Sequence, residues 1–91
     1  MELQWTQTAL TDLERLHEFL DQVNPGAAAR VAQALVAAPR RLLKHPRMGE
    51  RLEGFGERQL RRIPAGRYEI RYEVLASKIF VLRIWHSRED R

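Results

Sequence analysis

The chain has 91 residues, no cysteine and a formal net charge of +4. That length suits one domain around one core, and the missing thiols exclude disulfides, thiolate nucleophiles and cysteine-based metal sites. The charge is unevenly divided: residues 1–39 hold two cations and five acids, a balance of −3, and residues 40–91 hold fourteen cations and seven acids, a balance of +7.

Such asymmetry predicts an anionic partner for the carboxyl-terminal part, with a solvated basic surface as the alternative. No apolar stretch approaches the ~18 residues of a membrane span. The start, Met1-Glu2-Leu3-Gln4-Trp5, lacks the basic and apolar regions of a signal peptide. A soluble, cytoplasmic protein with no membrane partner is expected, and no internal repeat or linker divides residues 1–91.

Leu3 to Thr6 reads as a short edge strand anchored by Trp5. Thr6 or Thr8 can cap a helix, because a hydroxyl accepts from an orphan amide of the first turn. Ala9, Leu13, Leu16, Leu20 and Val23 then recur at helical spacing, and Asn24-Pro25-Gly26 ends the run. Pro25 also suits the first turn of a second helix. Ala28, Val31, Leu35, Ala38 and Leu42 form its apolar stripe, with further alanines at 27, 29, 32, 34 and 37 that permit close helix approach. Pro39 should kink or break this helix by removing a donor, and His45-Pro46 should stop it. Residues 6–45 thus predict a helical hairpin.

Met48 to Gly56, with glycines at 49, 54 and 56, reads as a loop. Strands are predicted at 57–64, 67–75 and 78–86, joined by turns short enough for an antiparallel meander. In the second of these, Arg67, Glu69, Arg71 and Glu73 alternate with Tyr68, Ile70, Tyr72 and Val74, giving one charged and one buried face. The last strand is apolar on both sides, which places it centrally or beneath a cover. A helical hairpin on an antiparallel sheet is an α+β fold.

Several segments together resemble the RelE/ParE superfamily of type II toxin–antitoxin toxins, over nearly the whole chain. They are Trp5-Thr6 with Ala9, Asp12 and Leu13; Asn24-Pro25 with Ala27-Ala28; Pro46 with Gly49; Tyr68-Glu69-Ile70-Arg71-Tyr72-Glu73-Val74; and Ile84-Trp85-His86-Ser87-Arg88-Glu89. The resemblance implies a short strand, a helical hairpin and a three-stranded antiparallel sheet. It also implies a cognate antitoxin and a toxin–antitoxin hetero-oligomer; no spacing of residues suggests a metal site, and no cofactor is expected.

RelE-like members cut mRNA on the ribosome, whereas ParE-like members poison DNA gyrase, so the fold alone does not choose. RNA cleavage needs a base, an acid and cations for the phosphate. Of the positions that the family uses, Arg62 and Arg88 match. Leu60 and Glu69 stand where cations are usual, and the terminal tyrosine has no counterpart. His86 is a candidate acid or base, with Glu57 or Glu69 as a second group, so a ribonuclease would rest on Arg62, His86 and Arg88. The ending His86-Ser87-Arg88-Glu89-Asp90-Arg91 looks more like the ParE branch.

A ParE-like, non-enzymatic growth-arresting toxin is therefore the expectation, with an mRNA endoribonuclease and a non-toxic interaction module as rivals. Its target-binding surface is expected at Arg58, Arg61, Arg62, Arg67, Arg71, Arg83, Arg88 and Arg91, since a guanidinium binds carboxylate or phosphate through a planar fork. Cross-strand ion pairing is the rival reading of Arg67, Glu69, Arg71 and Glu73. Antitoxin contacts are expected at Leu13, Leu16, Leu20, Val31 and Leu35 on the hairpin, and at Ile79, Val81 and Trp85 on the last strand. Trp85 is read alternatively as core.

Overall fold

The computed structural model describes residues 1–88. In chain order the elements are β1 (Glu2–Trp5), α1 (Gln7–Val23), α2 (Pro25–Ala37), a 3-10 helix (Ala38–Leu43), β2 (Glu50–Arg51), β3 (Gln59–Ala65), β4 (Tyr68–Val74) and β5 (Lys78–His86).

Thr6 caps α1: its hydroxyl accepts from the Ala9 amide at 3.1 Å and donates to the Leu82 carbonyl at 3.1 Å, tying the helix start to β5. Asn24 serves both helices at the turn. Its amide donates to the Leu20 carbonyl at 2.7 Å, and its side-chain oxygen accepts from the Ala27 amide at 3.2 Å. The helix pattern breaks at Pro39 as expected, because proline supplies no amide. The α-helix ends at Ala37 and a tighter 3-10 segment carries the chain onward with Ala38, Pro39 and Leu42 buried.

The expected α+β class holds, but the sheet is larger than a three-stranded meander. Five strands lie in the order β1-β5-β4-β3-β2, with β1 parallel to β5 and the other pairs antiparallel. β1 is the edge strand expected near Leu3 to Thr6, and it adds to the sheet beside β5. Glu50–Arg51, within the stretch that reads as a loop, pairs with Arg61 and Arg62. Two residues are too few to show a strand period.

The helices cover one sheet face. Ile63, Ile70, Tyr72, Ile79, Val81 and Ile84 form one buried cluster there with Ala9, Leu35, Ala38 and Leu42. A register shift puts Leu82 as an extra residue, since Tyr72 faces Val81 while Arg71 faces Arg83. Such a bulge lets side chains on both sides of it reach the same core. Fully burying Ile70, Ile79 and Val81 stabilises by ~1.5–3 kcal/mol each, against ~0–1 for an exposed ion pair. The core, not the charges, holds the sheet.

Candidate functional site

The uncovered sheet face carries a row of arginines. Strand register aligns Arg62, Arg71 and Arg83 directly across β3, β4 and β5. Like charges opposite one another repel, and the structure offsets each. Arg62 forms ion pairs with Glu50 at 3.0 Å and Glu69 at 3.6 Å. Arg71 and Arg83 both lie over the Trp85 ring, at 4.8 and 5.4 Å from its centre, an arrangement worth ~0.5–1 kcal/mol per cation at exposed sites. Arg58 forms a two-point bond with Glu73, at 2.8 and 2.9 Å, which holds that carboxyl below the usual carboxylate range.

Arg83 also reaches Asp12 on α1 at 2.8 Å. β1 pairs with β5 no further than Val81, and the Asp12 carboxylate accepts the next inward amide, that of Ile84, at 2.9 Å, together with Arg15 at 2.8 Å. Burial pushes the Asp12 carboxyl up, but these bonds outweigh it and hold the group below the ordinary range. Arg61 lies on the other side of the pleat. It donates to the backbone oxygens of Arg47 at 3.1 Å and Gly49 at 2.7 Å. It braces a loop that the Tyr72 hydroxyl also grips, donating to Pro46 at 2.8 Å and accepting from the Gly49 amide at 3.0 Å.

Of the expected target-binding arginines, Arg58, Arg62 and Arg83 are thus neutralised by carboxylates, Arg61 is committed to backbone and Arg71 is packed on Trp85. Five of the eight expected arginines are thus engaged within the molecule; of the alternating four, Glu69 and Glu73 pair with Arg62 and Arg58, Arg71 packs on Trp85, and Arg67 forms no ion pair among the described residues. Arg67 and Arg88 differ. Both are exposed and form no ion pair among the described residues. Together with Gly66, His86 and Ser87 they line a pocket of about 350 Å³ at one end of the sheet. Gly66, at φ +61, makes the β3–β4 turn, and both the amide and the hydroxyl of Ser87 donate to the Arg67 carbonyl at 2.9 Å, binding the two sides together. Arg91 lies outside the described residues.

Of the ribonuclease set, His86 and Arg88 share the pocket at the sheet end, and Arg62 lies apart from them. Arg62 projects from the uncovered face beside Glu69. His86 pairs in register with Tyr68 and meets its ring edge-on at 5.4 Å, on the helix side of the sheet. The His86 Nδ1 accepts from the Arg88 amide at 3.1 Å. Leu60, where a cation is usual, is buried at 3 % exposure. Among the described residues no three His, Asp or Glu side chains gather to hold a metal.

The expected antitoxin contacts divide as well. Leu35, Ile79 and Val81 are at 1 %, 0 % and 0 % exposure and belong to the core, so they present no surface to a partner. Trp85 is buried at 6 % beneath its two arginines. Leu13 and Leu16 are half-buried against the core. Leu20 and Val31 line an apolar groove of about 560 Å³ between the helical hairpin and the sheet end, with Phe19, Ala34, Ala65 and Tyr68. Phe19 is 64 % exposed. It falls outside the helical stripe, so periodicity does not single it out, and Ala65 and Tyr68 reach the groove only through the tertiary fold.

The model of the ParE toxin of type II toxin–antitoxin systems (parDE) matches residues 3–91. The chain belongs to the ParE toxin family. Among relatives of this ParE-family chain, toxin RelE1 of Caulobacter vibrioides is 41% identical over 85 residues, covering 91% of this chain and 89% of its own. Toxin RelE2 of the same organism is 36% identical over 83 residues, covering 91% of each. A solved structure described as the chromosomal ParDE TA system from P. aeruginosa superposes with a TM-score of 0.80 at 23% identity, over 94% of this chain and 95% of that one. That likeness concerns the fold.

Proposed function

We propose that this ParE-family toxin arrests growth by inhibiting DNA gyrase, without cutting RNA, and that a cognate antitoxin neutralises it. The observation that carries this reading is the separation of Arg62 and His86 onto opposite faces of the sheet. General acid–base cleavage requires its groups within hydrogen-bond reach of one phosphodiester. A non-covalent inhibitor needs instead an exposed, shaped cationic surface, and the Arg67–Arg88 pocket offers one. Each guanidinium there can take a phosphate or carboxylate oxygen pair.

The antitoxin is an acidic, amphipathic segment that lays apolar side chains into the groove of Leu20, Val31 and Ala34 and meets Arg30 and Arg67 at its walls. Charge complementarity of this kind speeds encounter and fixes register. The ParDE origin of the P. aeruginosa structure supports such a partner.

The test is gyrase supercoiling of relaxed plasmid by purified, antitoxin-free protein. Loss of supercoiling with accumulation of cleaved DNA is expected; full supercoiling at excess toxin would refute the reading. An mRNA endoribonuclease is the second reading, favoured by the RelE names of the two Caulobacter relatives.

A further inference from the structure

Residues 22–49 contain no acidic side chain, yet hold Arg30, Arg40, Arg41, Lys44 and Arg47. The fold gathers four of these on one ridge. The 3-10 helix buries Ala38, Pro39 and Leu42, which turns Arg40, Arg41 and Lys44 outward, all exposed, with Arg47 exposed in the turn that follows. Residues three apart eclipse in a 3-10 helix, so Arg41 and Lys44 stand on one edge.

The ridge is rigidly founded. Its trailing loop is gripped by the buried Tyr72 hydroxyl at Pro46 and Gly49, and by Arg61 at Arg47 and Gly49. A backbone already held in place loses less freedom on binding than a mobile one. Among the described residues no carboxylate pairs with Arg40, Arg41, Lys44 or Arg47, although the same molecule neutralises Arg15, Arg58, Arg62 and Arg83. Acids are set against the sheet arginines and kept off the ridge.

We propose that Arg40, Arg41, Lys44 and Arg47 form a binding ridge for the phosphate backbone of double-stranded DNA. A protein partner would want aromatic anchors; residues 38–47 contain no aromatic ring other than the imidazole of His45. A phosphate backbone asks for closely spaced cations and no nearby carboxylates. Arg41 also lines a cleft of about 410 Å³ along β3, but Glu50 and Glu69 stand in its walls beside Arg62, so the duplex contact is confined to the ridge itself. The proposal deepens the gyrase reading by giving the toxin its own hold on DNA in the gyrase complex, and its test contains no gyrase, so either can fail alone.

The experiment is fluorescence anisotropy of a labelled random-sequence duplex of about 20 bp, titrated with antitoxin-free protein between about 50 and about 200 mM salt. Binding should weaken with a log–log salt slope of about −3 to −4, near −0.9 for each phosphate contacted. The triple variant Arg40→Gln/Arg41→Gln/Lys44→Gln should bind at least about tenfold more weakly at low salt and lose about 2–3 units of slope. Arg15→Gln, which removes a cation from α1, should change the slope by less than about half a unit. Circular dichroism melts should confirm that all variants fold. The proposal is overturned if duplex fails to bind at low salt, if Arg15→Gln loses as much slope per charge as the triple variant, or if a polyglutamate peptide competes as well as duplex does.

Discussion

Asp12 on α1 and Arg83 on β5, 71 positions apart, meet at 2.8 Å, and the same carboxylate accepts the Ile84 amide at 2.9 Å. With the Thr6 hydroxyl on the Leu82 carbonyl, it fastens the helical hairpin to the sheet beyond the end of β1. Asp12→Ala strands the buried amide and removes a partner from two guanidinium groups. Since Arg83 and Arg15 are well exposed, their pairing is discounted, and the amide dominates at ~1–3 kcal/mol. Urea and thermal unfolding should show that loss, a drop of roughly 4–8 °C per kcal/mol for a domain of this size.

The pH dependence follows from the same group. The Asp12 carboxyl is held below its unfolded value, so its stabilisation is fully present above about pH 4, where the unfolded carboxyl ionises, and is lost as pH falls through the lower folded value. Glu73 acts in the same direction, more weakly because its partner Arg58 is exposed. Urea midpoints between about pH 6 and about pH 2 should fall less steeply for Asp12→Asn than for the parent chain. Parallel curves would show that Asp12 is not the titrating group.

Gly49 admits no side chain. A Cβ there would lie 2.6 Å from both the Arg62 carbonyl oxygen and the Tyr72 hydroxyl. Gly49→Ala should cost ~1–3 kcal/mol through overpacking. Tyr72→Phe, which leaves the Pro46 carbonyl and Gly49 amide without their shared partner, should cost a similar ~1–3 kcal/mol. In Tyr72→Phe, hydrogen exchange at the Gly49 amide should speed up more than exchange at Ile70 in the sheet.

The functional variants separate by the charge they remove. Arg67→Gln/Arg88→Gln should weaken gyrase inhibition about tenfold or more, at ~1.5–3 kcal/mol for each charge-assisted bond lost, with an unchanged melting temperature. His86→Gln, in the wall of the same pocket, should lower inhibition less than the double variant does, since neither a guanidinium nor a proton-transfer step is lost. Dose–response curves in the supercoiling assay measure both.

Ala34 lies exposed at the groove. Ala34→Asp places a carboxylate against an acidic partner and beside apolar walls, and should weaken antitoxin binding by ~1–3 kcal/mol. Calorimetric titration with the co-expressed antitoxin would measure it, and toxicity in the absence of antitoxin should be unaltered.

The alternation of Tyr68, Ile70, Tyr72 and Val74 with charged neighbours made the buried face of β4 legible, and the apolar spacing with Thr6 and Asn24-Pro25 made the hairpin so. β2 was not, because two residues carry no period and its pairing depends on Arg61 and Arg62 from elsewhere. At the site, the residue types were legible but their availability was not. Alternation places Arg62, Arg71 and Arg83 on strands, yet which carboxylate meets each is settled by register and by α1. Ile79 and Val81 read as a possible partner surface because periodicity marks an apolar face without saying what covers it. Arg67 and Arg88 were within reach of sequence reasoning, being a turn and a strand end; that they remain unneutralised among the described residues required the three-dimensional arrangement of the acids.

The central claim is that the toxin acts on gyrase and leaves RNA intact. Its most direct test sets antitoxin-free protein, in parallel, against gyrase with relaxed plasmid and against ribosomes programmed with mRNA, each with the parent chain and Arg67→Gln/Arg88→Gln. The account predicts blocked supercoiling and trapped broken DNA for the parent chain, relief in the double variant, and uncut mRNA in every lane. Cut mRNA with gyrase unaffected would contradict it, and would make Arg62, His86 and Arg88 the residues to test as an active site.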